Sequence, residues 1–259
     1  ELAKPRAFAF KNSYMTYVLN NYIIPGKNTY EPIIKGTAEE SFEDYVVSKI
    51  DAYCDWSVTD LCNTFHIEYQ KKPKSLEAML AYRMLGIKGN HAEEFEKANV
   101  VVKAIRIEKN NKIKENMSFP NFKFKELLEE EWADSTFGNY LRETRFLFVV
   151  YKFDQQDELR LKGCQFWNIP YDDLEGNVKL VWEKTQRVIR EGLQIEKKNG
   201  KNYNNFPKAS ENPVCHVRPH ARNAKDTYEL PDGRQYPKQC FWLNNSYILS
   251  QLQDQFKEE

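Results

Sequence analysis

Along the first third of the chain apolar residues recur every three or four positions, the period of an amphipathic helix. Phe42, Val46 and Ile50 line one face of a predicted helix over residues 37–53, with Thr37 as its cap and Glu39 and Glu40 in its first turn. A second helix is expected to start at Ser57. A third is capped by Ser75, turns Leu76, Met79, Leu80 and Met84 inward, and stops before Gly86. Upstream, an aromatic-rich run over residues 7–24 ends in a Pro25-Gly26 turn. The pattern then changes. Residues 100–107, 146–153 and 165–169 read as strands, while 124–132 and 174–193 keep the helical period, the latter with Val178, Val181, Trp182, Val188 and Ile189 inward. Residues 215–218 and 239–243 predict a final strand pair, and the segment between them carries the turn signal Pro231-Asp232-Gly233. Helices flanking a mixed central sheet make the expected fold class α/β. We expect one domain over residues 1–259, helical from about 30 to 95 and sheet-containing from about 96 to 259.

Composition narrows this picture only in places. With 41% hydrophobic and 29% charged residues the chain has the make-up of a folded globular protein, which excludes a disordered one. No apolar run is long enough for a membrane-spanning helix. Residues 1–6 hold no initiator Met and no signal-like stretch, so a piece of a longer protein is expected. The five cysteines are odd in number and lack CxxC spacing; they read as reduced thiols of a cytoplasmic protein. Cys215, His216, His220 and Cys240 fit no common structural zinc pattern.

Charge changes the picture more. The chain carries 38 basic and 38 acidic side chains, a net charge of zero, unlike a generically basic nucleic-acid binder. The charges are segregated, however. Between Lys197 and Lys225 stand Lys197, Lys198, Lys201, Lys208, Arg218, Arg222 and Lys225 against the single acid Glu211. Such a protein can present one positive face while staying neutral in sum.

Metal-dependent DNA cleavage needs carboxylates to hold divalent cations beside the scissile phosphate, and a lysine to position the attacking water. In a PD-(D/E)xK frame an acid precedes a strand whose (D/E)xK triplet puts a second acid and the lysine on one face. Glu94, then Val101-Val102-Lys103, has that frame, with six residues between Glu94 and Val101. The acid of the triplet is replaced by Val101, which has no oxygen to offer a metal.

The run Leu85-Gly86, Glu94, Val101-Val102-Lys103-Ala104-Ile105 resembles the MutH family of GATC-specific endonucleases, as do Phe166-Trp167, His216-Val217-Arg218-Pro219-His220-Ala221 and Phe241-Trp242-Leu243 in the same order. The chain is also similar to the C-terminal half of the Sau-type GATC restriction endonucleases, over roughly residues 30–250. The resemblance implies a restriction-endonuclease fold of the PD-(D/E)xK class. It also implies departures: the catalytic acid position is Val101, the first Asp is Glu94, a further helix acid is Tyr82, and Lys103 alone is unchanged. No catalytic residue and no metal are then expected in this chain, with Mg2+ expected for the parent enzyme. The DNA contacts it implies are Arg218, Pro219, His220 (where the family has lysine) and Trp242 (where it has tyrosine) at the bases. Lys197, Lys198, Lys201, Arg222 and Lys225 fall to the phosphates. Three functions stay open at this point. One is an effector domain that binds GATC duplex DNA and favours cleavage by an N-terminal catalytic half. Another is an active nuclease using Glu94, Glu96 and Lys103. The third is an interaction domain unrelated to DNA.

Overall fold

The structure, a computed structural model, describes residues 9–26, 29–37, 39–68, 75–198 and 201–257. In chain order the elements are α1 (Asn12–Val18), continued by a π-helical turn (Leu19–Ile23), then α2 (Phe42–Asp51), α3 (Val58–Thr64), α4 (Leu76–Met84), α5 (Glu93–Ala98), β1 (Val100–Ile107) and β2 (Met117–Phe122). There follow α6 (Phe124–Glu129), α7 (Thr136–Glu143), β3 (Arg145–Phe153), β4 (Leu159–Trp167), α8 (Tyr171–Asp173), a π-helical turn (Leu174–Val178) and α9 (Lys179–Glu191). The chain ends through β5 (Ile195–Lys198), β6 (Lys201–Asn204), β7 (Cys215–Pro219), β8 (Thr227–Glu229), β9 (Gln235–Pro237), β10 (Gln239–Leu243) and α10 (Asn245–Gln251). No helix among the described residues is long and apolar enough to cross a membrane.

These elements form two compact units, Glu1–Lys109 with Glu143–Asn168, and Asn110–Arg142 with Ile169–Glu259. The expected division near residue 95 falls elsewhere, because β1, β3 and β4 lie with the helices of the first unit. Among the described residues the strands do not join into one central sheet. The strands make two three-stranded sheets, β1-β3-β4 and β2-β10-β7, and two hairpins, β5-β6 and β8-β9. The class remains mixed α/β.

In the first unit β1 runs parallel to β3 and β3 antiparallel to β4. Val46, Ile50, Leu61, Leu80, Phe95, Val100, Leu147, Val149 and Tyr151 build a core joined by Tyr82, Val102 and Ala104. Phe146, Phe148 and Trp167 meet on the other face of the sheet, with ring centroids 5.0–6.1 Å apart. The fully buried Tyr151 hydroxyl donates to the Glu77 carbonyl at 2.9 Å, so its polar end costs little to bury. Helix α2 starts at Ser41 rather than Thr37, since the Ser41 hydroxyl accepts from the Asp44 N–H at 3.2 Å. Strand β4 begins well before residue 165. Its outward Arg160 and Lys162, paired with Asp154 and Asp55, give it a polar stretch that looks like loop in sequence.

In the second unit β10 is the middle strand, antiparallel to both neighbours. Phe241 stacks on Phe137 at 4.2 Å and meets Phe122 at 5.0 Å, which seats the sheet on α7. Helix α9 turns Val181, Trp182, Val188 and Ile189 inward and ends at Gly192, whose φ of 101° suits a glycine. The predicted helix over 124–132 stops at Glu129. Three consecutive glutamates, Glu129 to Glu131, oppose the negative end of the helix dipole, and Glu130 is extended.

Candidate nucleic-acid interface

Helix α5 turns into β1 through Asn99, held in the left-handed region at φ 55°. Glu94, on that helix, spends both carboxylate oxygens on backbone: they accept the N–H groups of Ile33 at 2.9 Å and Ile34 at 3.1 Å. Strand alternation then separates the remaining positions of the frame. Tyr82 packs with Val102 and Ala104 in the helix-side core and meets Phe95 edge-on at 6.1 Å. Burial pushes its phenol up to about 12. Val101 and Lys103 point to the opposite face, beside Phe146 and Phe148 in the parallel register. The Lys103 ammonium is lowered from its ordinary value by burial alone, and no hydrogen bond or ion pair holds it among the described residues. Thus the structure brings Val101 and Lys103 to one face, Tyr82 to the other, and engages Glu94 elsewhere.

A magnesium ion takes an octahedral set of oxygens. Val101 supplies none, so at this frame only the Glu94 carboxylate, already accepting two backbone N–H groups, has oxygens to offer and the residues present do not make such a set; no group of three or more potential metal ligands is found among the described residues. Glu94 is instead a brace between α5 and the segment at Ile33. Glu94→Ala is expected to lower unfolding stability by about 2 kcal/mol, from the loss of charge-assisted bonds. A denaturant melt reads the loss, and DNA affinity measured below the transition stays at the parent value.

The second unit arranges its residues differently. The register pairs Cys240 with Arg218 and Trp242 with His216, so these four share one face of the β7-β10 ladder. Phe241, Leu243, Val217 and Cys215 share the other, which is buried. The Arg218 guanidinium lies 5.0 Å from the Trp242 ring centroid, and the indole N–H donates to the Arg218 carbonyl at 3.3 Å. The His220 ring stands edge-on to the same indole at 5.3 Å and 87°. Among the described residues no carboxylate pairs with Arg218, and Arg218, Pro219 and His220 are all exposed. The outcome is a cation and an imidazole mounted on an indole at the open end of a strand, with guanidinium N–H groups available to acceptors.

Around it, Arg222 and Lys225 are exposed in the β7–β8 connection, which is tied by the Arg222 N–H to Asp226 at 3.0 Å and the Lys225 N–H to Asn223 at 2.9 Å. Asp226 pairs with Lys238 at 2.5 Å, and that ammonium holds its carboxyl below the usual range. Lys197 is exposed on β5; the side chains of Lys198 and Lys201 lie outside what the structure describes. The zinc idea has no support in this geometry, because Cys215 and His216 point to opposite faces of β7 and burial pushes the Cys240 thiol up to about 12.

Sequence reasoning missed what lies beneath the cluster. Asn244 donates through Nδ2 to the Asn212 carbonyl at 2.8 Å, which turns its Oδ1 toward buried His216 at 2.6 Å. His216 Nδ1 therefore carries the proton and Nε2 is left as an acceptor. Nothing in the spacing of one His and two Asn signals such a chain. Burial, and secondarily the Arg218 charge, hold His216 below its ordinary 6.5, while the Asn244 bond opposes this. A group depressed in the folded state binds protons more readily when unfolded, so acidification below about 6.5 favours unfolding. Denaturant midpoints should fall from pH 7.5 to pH 5.5 by more in the parent chain than in His216→Gln.

No family model matches the chain. Over almost its whole length, however, it is similar to a type II restriction enzyme. That relative is Sau3AI of Staphylococcus aureus, 37% identical over 295 aligned positions that cover 97% of this chain and 60% of the relative. The chain thus spans about 60% of the length of the curated relative it matches. Since the alignment is longer than the 259 residues here, the relative carries extra residues within the match.

Proposed function

We propose that this chain is the DNA-gripping, non-cutting part of a type II restriction endonuclease, an allosteric effector module that binds duplex DNA containing GATC. The likeness to a restriction enzyme along 97% of the chain supports the parent class. The observation that carries the reading is Arg218, paired with no carboxylate among the described residues and seated on Trp242 beside His220. Arg218 donates two hydrogen bonds to guanine O6 and N7 in the major groove, and each GATC strand offers one guanine. Pro219 fixes the backbone between the two reading side chains. His220 donates to a neighbouring acceptor, and the indole of Trp242 keeps the guanidinium in register. Lys197, Lys198, Lys201, Arg222 and Lys225 meet phosphates, supplying affinity and salt dependence without sequence preference.

In this reading the fold is a MutH-like variant of the PD-(D/E)xK class, and the chain corresponds to the C-terminal half of a duplicated enzyme. Mg2+ and the cutting chemistry belong to an N-terminal catalytic half, and the whole acts in the cytoplasm, where its free cysteines stay reduced. Binding of a second GATC copy by the effector half favours the cleaving state of the first. Two sites on one DNA then engage at raised effective concentration.

Mobility shift with a GATC duplex and a scrambled duplex, run beside a plasmid-nicking assay in Mg2+, tests the proposal. Preferential retention of the GATC duplex with intact plasmid is the expected outcome. Equal retention of both duplexes would refute the recognition role, and Mg2+-dependent nicking would refute the non-cutting one.

A further inference from the structure

The strand that carries Arg218 is held by little of its own making. β7 has five residues, and β10 is its one strand partner among the described residues. Its outer edge adds a single backbone bond there, from the Val217 N–H to the Pro207 carbonyl at 2.9 Å. Successive side chains of a strand point to opposite faces, so a one-residue slip would carry Arg218 from the Trp242 face to that of Phe241. Asn244, the first residue after β10, meets the incoming chain in register. Its N–H donates to the Val214 carbonyl at 2.8 Å, its Nδ2 donates to the Asn212 carbonyl at 2.8 Å, and its Oδ1 lies 2.6 Å from His216 Nδ1. Residues 212, 214 and 216 are thus gripped at two-residue intervals, and no slip by one preserves these bonds.

Asn212 is itself fixed. Its Oδ1 accepts the N–H groups of Val214 at 2.9 Å and Cys215 at 3.0 Å, and its Nδ2 donates to the Asn177 carbonyl at 3.1 Å. An amide suits position 244 because it donates and accepts at once. Asn244 and His216 are each 4% exposed, so water is a poor substitute for a lost partner. His216 in turn stands directly across the ladder from Trp242, and side chains so paired on one face interact. We infer that Asn244 is a positioning residue for base reading: it locks the register of β7 against β10, so that Arg218 comes to rest on Trp242. The inference rests on the reading of Arg218 as the guanine contact and adds to it a buried residue that acts through the strand.

Anisotropy titrations with GATC and scrambled duplexes test it on the parent chain, Asn244→Ala, His216→Asn and His216→Gln, with unliganded melting temperatures to establish folding. Asparagine sets an amide N–H where the imidazole has Nδ1–H, whereas the amide of glutamine reaches the place of Nε2. His216→Asn therefore keeps the donor to Asn244 and His216→Gln loses it. Asn244→Ala and His216→Gln should each lower the preference for GATC by about fivefold or more, the low end of one lost guanine contact, while His216→Asn stays within about twofold of the parent. Affinity for the scrambled duplex should stay level in every folded variant, since phosphate contacts carry it. The His216 pair decides alone where Asn244→Ala is not folded. In 15N spectra of the imidazoles, the parent should show His216 protonated at Nδ1 and bare at Nε2, a pattern lost in folded Asn244→Ala. A parent that prefers GATC, with Asn244→Ala or His216→Gln preferring it equally, overturns the inference and leaves the reading of Arg218 standing. Equal losses in His216→Asn and His216→Gln, or a parent His216 protonated at Nε2 instead, overturn it as well. A parent without any preference for GATC overturns the inference together with the reading.

Discussion

Arg218→Ala should cost this chain about 5- to 150-fold in affinity for a GATC duplex, the equivalent of the roughly 1–3 kcal/mol of one bidentate guanine contact. Its affinity for scrambled DNA should fall only slightly, by the share of one cation. The asymmetry follows from the geometry. Arg218 is exposed, pairs with no carboxylate among the described residues, and is steered by the Trp242 ring 5.0 Å away. A phosphate-binding cation behaves otherwise: Lys225→Ala should weaken both duplexes alike and reduce the salt slope by about one unit. Fluorescence anisotropy at two salt concentrations reads both effects. If Arg218→Ala weakened the two duplexes equally, Arg218 would be a phosphate contact and the base-reading role would be lost.

Neighbouring residues on β10 should fail in opposite ways. Phe241 is 2% exposed and stacks on Phe137 at 4.2 Å, so Phe241→Ala should destabilise the fold by about 3–5 kcal/mol. Trp242, one position on, is half-buried on the opposite face of the strand and carries Arg218 and His220. Trp242→Ala should cost far less stability but lower GATC affinity about tenfold, since the guanidinium loses a cation–π platform worth about 1 kcal/mol or more. Chemical denaturation separates the two variants by midpoint, and DNA titration separates them by affinity. Equal destabilisation by both would mean that Trp242 is a core residue rather than a platform for Arg218.

How much of this was legible in the sequence depends on how local the physics is. The i, i+4 spacing of Phe42, Val46 and Ile50 marked α2 because one helix buries that stripe by itself. Residues 146–153 announced β3 because a strand covered on both faces has no polar alternation to blur it, and 100–107 announced β1 through its β-branched run despite Lys103 and Arg106. Strand β2 left no such mark: it is an edge strand of six residues, with Pro120 inside it and an irregular register opposite Phe241. Helix α5 was hidden by Glu93, Glu94 and Glu96, whose roles lie in bonds to distant partners such as Ile33 and Tyr17. The division of the strands into separate sheets was equally out of reach, since strand partnership is decided by long-range burial.

The candidate site divides along the same line. The block from His216 to His220 and the strand from Phe241 to Leu243 stood out as two pieces. That Arg218, His220 and Trp242 touch is a consequence of register across 24 residues of chain. The bond between His216 and Asn244 is invisible to any pattern of residue types. For the Glu94–Val101–Lys103 frame the sequence spacing was real, yet the structure gives Glu94 a backbone-bracing duty that spacing does not encode.

The claim that the β7-β10 face grips DNA is tested most directly by following the five indole N–H resonances of the 15N-labelled chain during titration with a GATC duplex. The Trp242 signal, assigned through Trp242→Phe, should shift strongly with GATC and weakly with the scrambled duplex, while the buried Trp182 signal stays in place. A Trp242 resonance unmoved at saturating duplex, with shifts appearing elsewhere or nowhere, would contradict the assignment of this face to DNA.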